Sequence, residues 1–106
     1  MKRMKQNMPE YITVLSNNNY DVFEEIFLDK YEKFIELFWL IKNFSDNTKT
    51  LKYKTTKKNI LKIELVVENI SAKEVLSSIK KKIKGRDNIK AVLKNDVINI
   101  EICSEE

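Results

Sequence analysis

The chain has 106 residues, 42% hydrophobic and 34% charged, with a formal net charge of +4; this suits one folded core and is too apolar for a disordered tail. It contains no histidine, one cysteine (Cys103) and one glycine (Gly85), which argues against His-based acid–base chemistry, a thiolate zinc site, a Cys–His nucleophile and a glycine-rich phosphate loop. The expectation is a non-enzymatic protein with no cofactor and no metal.

No run approaches the ~20 apolar residues of a membrane-spanning helix. The start, Met1-Lys2-Arg3-Met4-Lys5-Gln6-Asn7-Met8, is basic but lacks the apolar region of a secretory signal. A lone cysteine forms no intrachain disulfide, so the cytoplasm is the expected location. The organisation expected is a flexible basic leader over residues 1–9, a single α+β domain over 10–103 and a frayed tail over 104–106.

Residues 11–15 are β-prone and follow Pro9, which suits a first strand. Asn17-Asn18-Asn19 then breaks it, with Asn18 placed to cap a helix and Asp21 near its first turn. Over residues 20–44 the period is helical: Phe23, Phe27, Tyr31, Phe34, Phe38 and Ile41 recur at steps of three or four. Leu28, Ile35 and Trp39 form a second apolar line. A 25-residue helix is about 37 Å long, more than the ~34 Å width of a domain this size. It must therefore bend, protrude or meet another chain.

Residues 51–55 and 60–68 alternate and form a hairpin across Lys57-Lys58-Asn59, with Leu61, Ile63, Leu65 and Val67 on one face. Ser71-Ala72-Lys73-Glu74 is a capping box. It opens a second helix whose face is Ala72, Val75, Leu76, Ile79 and Ile83, and Gly85 suits the left-handed position after it. Residues 89–94 and 97–103 are two strands joined by Asn95-Asp96, a tight hairpin. The order is β-α-β-β-α-β with one appended C-terminal hairpin strand. It predicts a ferredoxin-like two-layer sandwich, with two helices on one face of an antiparallel sheet.

Two surfaces are candidate sites. The first is the apolar end of the long helix, where Phe34, Phe38, Trp39, Leu40 and Ile41 exceed what one small sheet covers. Aromatic residues in that position anchor interfaces, so the favoured function is an interaction or regulatory module that self-associates or docks a protein partner there.

The second follows the charge. Residues 42–94 carry 15 basic and 5 acidic side chains, and Lys52, Lys54, Lys62, Lys90 and Lys94 are expected on the open sheet face, with Lys57 and Lys58 in the hairpin turn. A continuous positive surface of this kind binds nucleic acid by displacing counterions. With no glycine in the strands, Tyr53 pointing inward and only Tyr11 outward, such binding would be electrostatic and weakly sequence-specific. Lysine outnumbers arginine 18 to 2, and AT-rich codon composition is the competing explanation for that excess.

The aligned acids Asp21, Glu25, Asp29, Glu32 and Glu36 read as a solvated helix stripe. A small-molecule sensor remains a third possibility, by fold analogy alone.

Overall fold

A computed structural model describes residues 11–14 and 20–104; the expected leader, the Asn18 cap and the last two residues of the tail lie outside them. The period-two segments become a five-stranded antiparallel sheet: β1 (Ile12–Thr13), β2 (Thr48–Thr55), β3 (Ile60–Val67), β4 (Ile89–Lys94) and β5 (Val97–Cys103). The helical segments become α1 (Tyr20–Lys30), α2 (Ile35–Asn43) and α3 (Ala72–Lys82).

Local punctuation accounts for several boundaries. Ser71 caps α3, its Oγ accepting from the Glu74 amide at 3.4 Å, and Gly85 takes φ +82° just past the helix. No atom lies within 4 Å of the site a Cβ would occupy at Gly85, so the backbone angle is the reason for glycine. Asn95 and Asp96 both adopt positive φ, 54° and 65°, the geometry of a type I′ turn. In the β2–β3 turn, Thr56 Oγ1 accepts from the amides of Lys58 and Ile60, each at 3.2 Å.

The long helix is broken. Tyr31 leaves helical geometry (φ −127°, ψ 30°) and a 3-10 turn, Glu32–Phe34, separates α1 from α2. On a straight helix Phe23 and Phe38 would lie about 22 Å apart; here their ring centroids are 5.6 Å apart, and Phe27 and Phe38 are 5.7 Å apart. The chain doubles back so that Phe38 wedges against both rings. Burial of both halves of the aromatic stripe drives this, and the Tyr31 hydroxyl fixes the corner by donating to the Asn59 carbonyl at 2.6 Å.

The strand order is β1-β2-β3-β5-β4. This departs from the ferredoxin-like arrangement expected from the element order, in which the first strand would sit inside the sheet. Here the two-residue turn obliges β5 to lie beside β4, and β5 pairs with β3 on its other side through Leu61↔Ile102, Ile63↔Ile100 and Leu65↔Ile98. The inner place is thus filled by a seven-residue strand carrying three buried isoleucines. The two-residue β1 is left at the edge on β2.

All three helices contribute to one hydrophobic cluster with Leu51, Tyr53, Leu61, Ile63, Leu65, Ile98, Ile100 and Ile102. The alternate strand residues are outside it, so the helices cover one sheet face and leave the other open. Phe23 stacks on Tyr53 of β2 at 4.9 Å, setting α1 over that side of the sheet. α3 packs on β4 and β5, and α2 touches both α1 and α3 and lies between them.

The hydroxyls of Tyr20 and Tyr53 are buried without a hydrogen-bond partner, and burial raises both phenols above the usual 10.0. Each holds its proton more tightly folded than unfolded. Their contribution is intact below pH 10 and lost as pH rises through the folded value. Tyr53→Phe removes an orphaned polar atom and should raise the unfolding free energy by about 1 kcal/mol. The decline in stability above pH ~10 should also be shallower than in the parent. Urea denaturation across that pH range checks both.

Candidate functional site

The fold divides the expected interface residues. Phe34, Phe38 and Ile41 are interior, with 6%, 0% and 0% exposure, and Leu40 packs partly buried against the core. These four correct the expectation of a projecting apolar end: once α2 folds back on α1, the stripe faces a neighbour helix as well as the sheet. Trp39 differs. It points out of the layer at 46% exposure, held edge-on to Phe38 at 5.0 Å. The Lys42 ammonium lies 5.4 Å over its ring and 5.8 Å over that of Tyr20.

Around Trp39 the outer surface of the helical layer is polarised. On α1 the exposed residues opposite Phe23 and Phe27 are Asp21, Val22, Glu25, Leu28 and Asp29, a helical stripe of three carboxylates and two apolar side chains. Val22 and Leu28 are 46% and 48% exposed. On α3, beside the exposed Glu74, the residues opposite Val75 and Ile79 are Lys73, Ser77, Lys80 and Lys81, with Lys84 in the turn that follows. Together with Leu76 they line a shallow groove of about 520 Å³. The two charged helices flank α2, where Glu36 reaches Lys82 at 3.8 Å. The sequence carried this split as helical spacing within an acidic first segment and a basic later one. It became visible as one surface only when the layer order α1-α2-α3 was known.

The lysines expected on the open sheet face are there, and Lys57 and Lys58 are exposed in the β2–β3 turn. The surface is not continuously positive, however. The register sets Lys52 opposite Glu64, and both Lys62 and Lys90 opposite Glu101. Lys62 and Glu101 form an exposed ion pair at 3.9 Å, a contact of small energetic weight. Tyr11 lies on the same face with the Lys54 ammonium 4.7 Å over its ring. Its phenol is raised by partial burial first and by the Glu64 carboxylate next. Lys54, Lys62 and Lys90 belong to one cross-strand row beside Lys57 and Lys58, with Glu101 among them. Lys94 is at the other end.

A cleft of about 550 Å³ opens between Leu28, Asp29, Lys30, Glu32, Lys33, Phe34, Asn59 and Ser104. Its two lysines face two carboxylates, and Lys30 donates to Asn59 Oδ1 at 3.0 Å, so it selects no sign of ligand. Cys103 is exposed at the end of β5. Among the described residues no three acidic, thiol or imidazole side chains converge as metal ligands do, and no helix is long and apolar enough to cross a membrane.

No protein-family model, curated protein or solved structure matches the chain.

The contrast between neighbours in α2 is testable. Phe38→Ala should cost about 3–5 kcal/mol of unfolding free energy, and Trp39→Ala about 1 kcal/mol or less. Chemical denaturation followed by circular dichroism measures both. Equal costs would mean that Trp39 is as deeply packed as Phe38.

Proposed function

We propose that this chain is a small non-enzymatic interaction module that docks a protein partner through the outer surface of its helical layer. The observation that carries this reading is Trp39, half exposed at the centre of the layer between an acidic and a basic helix. Tryptophan is a favoured interface anchor because a large apolar area is buried at little conformational cost. Contact with Phe38 and Lys42 already restrains this ring, which lowers that cost further. The flanking charges supply orientation and encounter rate more than affinity.

The test is a photo-crosslinking residue at position 39 or 43, with position 92 on the open sheet face as control, irradiated in the expressing cell. A discrete adduct from the helical positions and none from the control is expected. No adduct at either helical position would remove the reading.

A second reading, weakly sequence-specific nucleic-acid binding, draws support from the clustering of Lys54, Lys57, Lys58, Lys62 and Lys90 at one end of the open sheet face. Binding of a mixed single-stranded oligonucleotide should then weaken with salt by about 0.7 log units of affinity per log unit of salt for each phosphate contact. Neutralising Lys57 and Lys58 together should reduce that slope by about 1.4 if each contacts one phosphate. Fluorescence anisotropy over a salt series measures it, and an unchanged slope would exclude this end of the sheet.

A further inference from the structure

We infer that the partner on the helical layer is a second copy of this chain, related by a two-fold axis lying in the interface along α2. The inference rests on the docking surface proposed above and adds its occupant and geometry.

The argument is charge complementarity within one surface. The layer reads acidic on α1, tryptophan on α2 and basic on α3. When two such layers meet face to face, the direction of the symmetry axis decides which helices oppose. An axis across the helices sets α1 on its own counterpart and α3 on its own, bringing carboxylates against carboxylates and lysines against lysines. An axis along α2 exchanges the two sides. Asp21, Glu25 and Asp29 of each copy then face Lys73, Lys80 and Lys84 of the other, twice over, as a closed two-fold interface requires. Trp39 falls near the axis and meets its counterpart, so a single exposed tryptophan per chain is used from both sides.

Other parts of the surface are less suited to a second copy. The free edge of the sheet at β4 carries Lys90 and Lys94, charges of the kind that oppose strand addition. The open sheet face mixes both signs along single cross-strand rows and does not separate them into complementary halves.

Size sets the expected strength. Three helices about 14–16 Å long and spaced ~10 Å apart present a footprint of roughly 500 Å², below the ~800 Å² per partner of a standard stable complex. The dimer is therefore weak, reversible and sensitive to salt.

Sedimentation of the full chain from about 10 µM to about 1 mM should show a monomer passing to a dimer and no further. Two charge-reversed variants sharpen the test: Glu25→Lys with Asp29→Lys on α1, and Lys73→Glu with Lys80→Glu on α3. All four positions are exposed, and circular dichroism confirms that each variant is folded. Each alone should dimerise at least about tenfold more weakly than the parent. An equimolar mixture of the two should recover association, because the reversed positions of α1 then oppose the reversed positions of α3 and the other helix pair keeps its native signs. Trp39→Glu should abolish the dimer.

A parent that stays monomeric throughout overturns the inference. So does a dimer indifferent to both reversals, a mixture that fails to recover, or growth beyond two copies, which indicates an open head-to-tail contact. A crosslinked adduct at position 39 of a mass other than two chains leaves the docking surface standing and removes the second copy as its occupant. Absence of any adduct removes both.

Discussion

The wedge of Phe38 against Phe23 and Phe27 is the contact on which the rest of the molecule depends. Edge-to-face aromatic pairs contribute about 0.5–1.5 kcal/mol each beyond simple burial, and across the corner at Tyr31 this one ring makes such a pair with Phe23 and a tilted contact with Phe27. Phe23 in turn stacks on Tyr53, so the helix pair and the sheet share a single aromatic column. Without the wedge, α1 and α2 would be one rod about 36 Å long. With it, they form a layer matched to the sheet, and the only large aromatic side chain of α2 left facing outward is Trp39.

How much of this could be read from the sequence depends on whether the cause was local. Ser71 with Glu74, Gly85, Asn95-Asp96 and the β2–β3 turn are decisions made within a few residues, and each lies where the residues require it. The break at Tyr31 has no such mark. The chain's one glycine and one proline are elsewhere, and every residue from 20 to 44 is compatible with continued helix. Tertiary packing imposed the corner. Periodicity located the apolar stripe but not how many neighbours would cover it, which is why Phe34, Phe38 and Ile41 read as surplus surface and are interior. The strand order is a similar case. A two-residue hairpin fixes β4 beside β5, and the length and apolar alternation of β5 then favour it over the short β1 for the inner position.

The same distinction governs the charges. Alternation along a strand identifies which side chains leave the sheet, and all the sheet lysines do leave it. Register alone determines what stands across from each, and it set Glu64 and Glu101 among them. Net charge is consequently a poor descriptor of this surface. A chain of +4 presents a helical layer of two opposite signs and a sheet face where the signs interleave. The first pattern separates the signs by helix; the second alternates them along cross-strand rows.

The Asn59 carbonyl accepts from both the Tyr31 hydroxyl and the Ser104 amide, at 2.6 and 3.3 Å, and the residue itself sits at φ 63°. Hairpin tips are ordinarily where chains tolerate insertion and drift. This tip instead works as a buckle, fastening the helix corner, 28 residues before it in sequence, to the end of the last strand. Its length is therefore not free to vary: one residue more or fewer would move the corner, tilt α2 and re-aim the indole of Trp39.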